Sequence, residues 1–598
     1  MNHSNKFRRS LLIITFLTVL IAITASISAI NPTLKSNVTG PNNINLFLKT
    51  SATYTTTVEI DDTDPLIDWE AAKAAGICTG SGTSGDPYVI EDHIFDMAGS
   101  VTCLTISHSR KYFRVENCSF KTSGFSAGIS LVNSTNGILD DNMFLGTYFV
   151  GISFNNCSVI SSIDNNVTSC LVGIGATDSN DLVCNLNIVD KSLGSGISID
   201  NTHDSSINNN FISNTLGVGI NLLDCNSNEL IGNTITNNSD GIYIFNSNDT
   251  LISGNIINLN TANGISIEDS NQCRILSNTI FNNTDSGILV QTCTQNEISD
   301  NNIDYNFYGI YLLSGSDFNI VSQNTLLYND DDGIYISTST NNNINLNTAN
   351  HNGDEGIWLT GCDDSTVYKN TAYNNSGFGI RFNSGTNLTC NENLAYHNYE
   401  SGIRLFGISQ SRVENNNIHH NNWDGLRIRS TSLNNIIKGN IAQYNNLSGI
   451  YLYSTADNNL LIDNIASYNQ IHGIFLETAD NNYLASNTAN NNNENGIHLL
   501  NSNGNTIMSN TANNNNNGTF LDTSDNNIVY ENIMLGNAVC YNETGSTGNV
   551  FEENICSSAQ LPPVPFDPFL LGLIIGLIIG FGTLAVVIIV SLLRGRKK

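Results

Sequence analysis

The sequence is poor in charge and poorer still in positive charge. Only 13% of its 598 residues are charged, and 23 Lys and Arg stand against 53 Asp and Glu, a formal net charge of -30. So acidic a surface does not neutralise phosphates, which excludes nucleic acid as a general partner. Proline is also scarce, with eight residues in all and none between Tyr88 and Leu561. A proline-free run of that length suits continuous strand ladders, whose hydrogen bonds a proline would interrupt. No CxxC, HExxH or EF-hand pattern occurs, so no ready-made metal motif is present. What fills the space is Asn, 99 residues of it, with 48 Gly, a composition that favours turns over helices.

Both ends have the pattern of membrane-targeting segments. Residues 1–30 combine a basic start (Lys6, Arg8, Arg9), an apolar run from Leu11 to Ile23 and small residues around Ala25 to Ala29. This reads as a secretory signal peptide, with an uncleaved anchor as the alternative. Residues 31–77 read as a leader and cap, 78–556 as a repeat domain, and 557–568, with Pro562, Pro563, Pro565 and Pro568, as a stiff stalk. Phe569 to Leu593 holds no charge over 25 residues and is followed by Arg594, Arg596, Lys597 and Lys598. The pattern predicts a single transmembrane helix over 569–593 with a cytoplasmic tail at 594–598, everything before it lying outside the cell. Gly572, Gly576 and Gly580 have the small-xxx-small spacing that packs two such helices into a homodimer.

Self-similarity decides the fold. Gly recurs 18 times from Gly128 to Gly518 at spacings of 22 to 24 residues, and Ile follows it in 16 cases, as in Gly241-Ile242. A second apolar residue follows two places on, such as Ile244 or Leu312. An Asn comes 14 residues after each Gly, or 15 in the coils starting at Gly309, Gly425 and Gly449, which are the three 24-residue coils. Alternation within short segments predicts strands, and three inward-pointing segments per coil predict a tube of three parallel sheets. Gly and Asn are expected at corners with positive φ, and the Asn column as one ladder of stacked amides. Leucine-rich repeats share this period, but they need Leu-rich strands and a helical return that these Asn, Ser and Thr segments do not supply.

The Gly-Ile-x-Ile and Asn-x-Ile coils, led in by Gly80-Ser81-Gly82-Thr83-Ser84-Gly85-Asp86-Pro87-Tyr88-Val89-Ile90-Glu91, resemble right-handed parallel β-helix proteins of the pectin-lyase-like superfamily, particularly its NosD-like branch. The resemblance covers residues 78 to about 556. It implies an all-β, single-stranded right-handed solenoid of about 18 to 20 coils, here with the C-terminal transmembrane helix. For function it implies only a range: polysaccharide lyases, glycosidases, adhesins and a protein of copper-site maturation. Polygalacturonase-like fragments occur as Asn283-Thr284-Asp285, Asp331-Asp332, His472-Gly473 and Arg427-Ile428-Arg429, but in the wrong order and spacing, and no catalytic set is carried over.

Cys157, Cys225, Cys293 and Cys362 each lie six residues after their Gly and about three coils apart, beyond disulfide reach, so they read as buried ladder thiols. Cys540 and Cys556 are the expected bridge, with Cys78 and Cys103 next. His397 and His420, both 18 residues after their Gly on adjacent coils, are expected about 5 Å apart as half a metal site. Asp330, Asp331 and Asp332 offer oxygen ligands for calcium, the one cofactor the sequence suggests.

The positive charge that exists is concentrated. The column between the two inward side chains reads Tyr335, Trp358, Arg381, Arg404, Arg427, Tyr451 and Phe475, and the column two places on contains Phe406, Arg429 and Tyr453. Asp332, Glu355 and Asp424, each just before a Gly, with Asp354 and Glu400 one place earlier, are placed to offset the arginines, and a self-neutralised ladder that keeps an exposed sheet soluble is one reading of the column. Aromatic platforms beside Arg forks suit a polysaccharide, an acidic one above all. The leading expectation is therefore a membrane-anchored extracellular β-helix that binds glycan through this face. A rigid spacer or adhesin comes next, then a carbohydrate-active enzyme (a polysaccharide lyase or a glycosidase), with copper-site maturation last.

Overall fold

The computed structural model describes residues 51–557 apart from 98, 100, 124 and 125. Over this range the chain winds as a parallel β-solenoid of about 20 turns. Two of its sheets carry 21 strands each. The second sheet runs from Val58–Asp61 to Val539–Thr544 and the third from Tyr88–Glu91 to Val550–Glu552. The first sheet passes through 17 strands from Thr53–Tyr54 to Ile441–Gln443, then by single bridges at Ile465, Thr488 and Thr511 to Ile533–Leu535. At about 4.8 Å per rung, this stack is roughly 100 Å long.

The ladders begin at Thr53, inside the segment read as a leader and cap. The first coil is enlarged by the only helix among the described residues, Trp69–Ala74, whose start is capped by Asp68 Oδ1 accepting from Ala71 N at 2.8 Å. Trp69 stacks on Tyr88 at 4.8 Å and covers the N-terminal end of the core. None of the described helices is long and apolar enough to cross a membrane. The signal segment 1–30, the stalk from 558 to 568, the span 569–593 with Gly572, Gly576 and Gly580, and the tail 594–598 lie outside the described residues.

The core is a set of aliphatic columns. Ile242 and Ile244 stack on Ile265 and Ile267 and are fully buried, as are their counterparts along the tube. Each such side chain contributes roughly 1.5–3 kcal/mol on leaving water.

The repeat glycines correct one expectation, because none of the 18 has positive φ. They are required for closeness: a Cβ on Gly241 would lie 2.5 Å from Gly264 O and 2.5 Å from Ile257 Cγ2. Nor does the Asn column have positive φ. The residue just before it does, as at Asp300, Gln323 and Leu346, while the Asn itself turns inward and is buried. The extra residue of each 24-residue coil is absorbed by two successive positive-φ residues after the second-sheet strand: Ser314–Gly315, Ser430–Thr431 and Ser454–Thr455.

Three amide ladders are present where one was expected. The first passes through Asn324, Asn347 and Asn370, the second through Asn329, Asn352 and Asn375, and the third through Asn435, Asn459 and Asn482. In each, one amide accepts from the backbone N–H and the side-chain N–H of the coil before it, as at Asn347 Oδ1, which accepts from Asn324 N and Nδ2 at 3.0 Å each.

The cysteine column takes part in a Ser ladder. Ser270 N donates to Cys293 Sγ at 3.3 Å, and Cys293 N donates to Ser316 Oγ at 3.4 Å. Cys540 and Cys556 are disulfide-bonded, with Cα atoms 5.7 Å apart. Cys78 and Cys103 do not pair; both are free and buried, held by the carbonyls of Trp69 and Lys121. Burial pushes the free thiols up, to about 12 at Cys184, Cys293 and Cys390. A thiol reagent is thus expected to find none of the 11 free cysteines in the native protein and all of them after denaturation. Titration with Ellman's reagent with and without guanidinium checks this.

Candidate functional site

Strand register stacks the arginines. Trp358 pairs with Arg381, Arg381 with Arg404, Arg404 with Arg427 and Arg427 with Tyr451, while Phe406, Arg429 and Tyr453 align beside them. The sequence predicted an exposed column, but these side chains are half-buried. Arg381 and Arg427 keep 22% and 18% of their side-chain surface. The reason is a row the sequence reading missed: Phe378 and Trp423, one and two residues before their repeat Gly, lean over the stripe. Arg404 lies 4.8 Å from the Phe378 ring centroid and Arg427 5.2 Å from that of Trp423. Arg381 packs on Trp358 at 4.2 Å, and Arg429 sits between Phe406 at 5.2 Å and Tyr453 at 4.8 Å. Aromatic residues near the Gly were the available signal for this second row.

Two arginines have a carboxylate within 4.0 Å and two do not, although Glu400 lies close enough to act on the charge of Arg404. Arg381 Nη1 meets Glu355 Oε1 at 2.6 Å, and Arg427 Nε lies 3.9 Å from Asp424 Oδ2. Among the described residues no carboxylate lies within 4.0 Å of Arg404 or Arg429. Burial and then the charges of Arg381, Arg429 and Arg427 hold Arg404 down to about 10. The Nε groups of all four arginines and Trp358 Nε1 are buried without a hydrogen-bond partner. The stripe thus keeps two guanidiniums without a carboxylate in ion-pair range in a chain that is acidic overall.

Aromatic stacks extend it on both sides. Tyr311, Tyr335 and Trp358 stack at 4.8 and 4.6 Å on one side, and Tyr451, Phe475, His498 and Phe520 at 4.8, 4.8 and 4.9 Å on the other.

The acids form a separate corner. Oxygens of Asp331, Asp332 and Asp354 lie within 4.8 Å of one another, so Asp354 takes the place given to Asp330 in the set suited to a hard cation such as calcium. Asp332 is fully buried, its Oδ1 accepting from Glu355 N at 2.9 Å. Burial, then the adjacent Glu355, pushes its carboxyl far up. Burial and Glu355 also raise Asp354 to about 6, and burial raises Asp424 to about 6.

At the far end, His498 Nδ1 lies 3.1 Å from His472 Nε2. Burial lowers both, His472 to about 3 with help from His498, and His498 to about 4. In the folded protein they stay neutral, whereas the unfolded chain takes up protons below pH ~6.5. Their contribution therefore lowers stability as pH falls from about 6.5 toward 4. The raised carboxylates act in the opposite sense over that range, so a variant isolates the pair. His498→Phe, which continues the Phe475–Phe520 stack, is expected to lose less of its melting temperature between pH 7 and pH 5 than the parent, as read by circular dichroism.

His397 and His420 lie on adjacent coils with ring centroids 5.2 Å apart, at the corner after the first sheet. Asn283, from the first polygalacturonase-like fragment, is buried in an amide ladder, which accounts for its side chain structurally.

The fold defines the class: the chain is a right-handed parallel β-helix repeat protein of the pectin-lyase-like kind. The family model described as right handed beta helix region matches residues 172–326 and 318–466. A second model, periplasmic copper-binding protein (NosD), matches residues 431–559, which makes the C-terminal coils NosD-like. No curated protein matches the sequence. Among solved structures, the Dettilon tailspike protein (gp208) is similar at 15% identity and a TM-score of 0.32, over 53% of this chain and 62% of that one. The chain thus spans about three fifths of the tailspike chain. The mannuronan C-5 epimerase AlgE4 A-module of Azotobacter vinelandii is similar at 14% identity and 0.28, over 61% and 91%. PfbA, a surface adhesin of Streptococcus pneumoniae, is similar at 12% and 0.32, over 51% and 88%.

Proposed function

We propose that this protein is a membrane-anchored surface β-helix that binds an acidic polysaccharide, of the polyuronate class, along the face from Trp358 to Phe475. The observation that carries this reading is the pair Arg404 and Arg429, neither with a carboxylate within 4.0 Å among the described residues, each lying against aromatic rings. Guanidinium forks hold carboxylates in two-point hydrogen bonds, and sugar faces stack on rings. Half-burial favours the interaction, since the guanidiniums have already lost part of their water. Anchoring is supported by the charge-free run 569–593 and the basic residues after it, and a homodimer by the glycine spacing within that run.

The test is an array of polyuronates and neutral glucans probed with the full chain in detergent micelles. Binding confined to the acidic glycans is expected, and an array without a polyuronate signal removes the reading. In that case the rigid-spacer reading takes over, which the amide ladders running coil to coil favour. Release of unsaturated uronate products, read by ultraviolet absorbance, would add lyase chemistry to binding.

A further inference from the structure

Outside the arginine face, the molecule gathers three histidines at one corner. His419 ends the first-sheet strand Asn417–His419, His420 follows it, and His397 follows the paired strand Leu394–Tyr396 one coil earlier. His397 and His420 are exposed and His419 is half-buried. His419 Nδ1 and His420 Nδ1 lie 2.9 Å apart. The ring centroids are 5.1 Å apart for His419 and His420, 5.2 Å for His397 and His420, and 6.4 Å for His397 and His419.

Those distances have a chemical meaning. Imidazole nitrogens bound tetrahedrally to one ion at about 2.0–2.1 Å lie roughly 3.3 Å from one another and place their ring centroids about 5 Å apart. Two of the three pairs already have that separation, and the third exceeds it by about 1 Å, within reach of a side-chain rotation of the exposed His397. The rings are also held in place. Tyr396 stacks on His419 at 5.1 Å and Tyr444 on His420 at 5.2 Å.

We propose that His397, His419 and His420 form a binding site for one divalent transition-metal ion of the kind imidazole favours, such as zinc, nickel or copper. The site is separate from the acidic corner, whose oxygen donors suit hard cations. It also lies outside residues 431–559, so it does not depend on the NosD match.

The repeat supplies its own replacements for a test. The column of His397 and His420 carries Asn374 and Asn491 at other coils, all with φ between 54° and 57°, so Asn fits there without new strain. The column of His419 carries Tyr373 and Tyr396 on the preceding coils, stacked at 4.8 Å. The variant His397→Asn/His419→Tyr/His420→Asn therefore substitutes residues the solenoid already uses. Calorimetric titration of zinc into the full, chelator-stripped chain is expected to give one ion per chain. The single variant His397→Asn should weaken it at least tenfold, and the triple variant should abolish it with the melting temperature unchanged. Loading with cobalt gives a second readout, an intense visible absorption from a nitrogen-ligated tetrahedral ion that the triple variant lacks. Asp331→Asn should leave both signals intact. Absence of zinc binding by the parent, or equal binding by the folded triple variant, overturns the proposal.

Discussion

Asn347→Ala is expected to destabilise its stretch of the solenoid by about 3 to 5 kcal/mol. The Asn347 amide is fully satisfied: Nδ2 donates to Val321 O at 2.8 Å and to Asn370 Oδ1 at 3.0 Å, and Oδ1 accepts from Asn324 N and Nδ2. Removing it leaves the Val321 carbonyl, the Asn324 backbone N–H and the Asn324 side-chain N–H without these partners in a buried column. Each buried polar group left unpaired costs about 1–3 kcal/mol. Because each coil touches only its neighbours, the loss should be local. Hydrogen exchange is expected to quicken most in residues around 321–370, while exposed Asn343→Ala moves stability by less than about 0.5 kcal/mol. Equal protection in the two variants would mean that the ladder contributes little.

Arg404→Tyr is expected to raise stability and weaken binding together. Arg404 is in register with Arg381 and Arg427, and Arg429 lies close enough to act on its charge. Each unit charge about 4.8 Å away repels by roughly 1 kcal/mol even at water-like dielectric. Tyr removes that repulsion and is a residue the same column already carries at Tyr335 and Tyr451. The folded protein should therefore gain about 1–3 kcal/mol, seen as a higher thermal midpoint. A ladder arranged only for its own stability predicts the reverse, a fall in midpoint on losing the contacts with Phe378 and Phe406. The gain is expected because a binding site retains charge that the fold alone does not favour.

The fold was legible because its period is covalent. Gly, Ile and Asn at fixed offsets name the corner, the inward side chains and the amide column, and strand register follows from the repeat length. Less legible was the reason for each residue. The repeat Gly and the ladder Asn were expected at positive φ, but the Gly serves close packing against the next coil and the Asn serves hydrogen bonding, and neither role alters the spacing that reveals it. The arginine column could be read because register stacks identical offsets, as at Arg381, Arg404 and Arg427. Phe378 and Trp423 were missed since they occupy a turn where the inward and outward alternation of strands no longer applies. His419 was missed for a related reason. It occupies the last place of its strand, yet its Nδ1 meets that of His420 beyond the corner.

In the proposed function the stripe from Trp358 to Phe475 holds an acidic polysaccharide through Arg404 and Arg429, which have no carboxylate within 4.0 Å among the described residues. The most direct measurement is a calorimetric titration of an oligogalacturonate into the full chain and into Arg404→Tyr/Arg429→Tyr. Two charge-assisted hydrogen-bonding groups at about 1.5–3 kcal/mol each predict saturable binding by the parent and binding weaker by at least about a hundredfold in the variant. Equal affinity in the two proteins, or no binding by the parent, would contradict it.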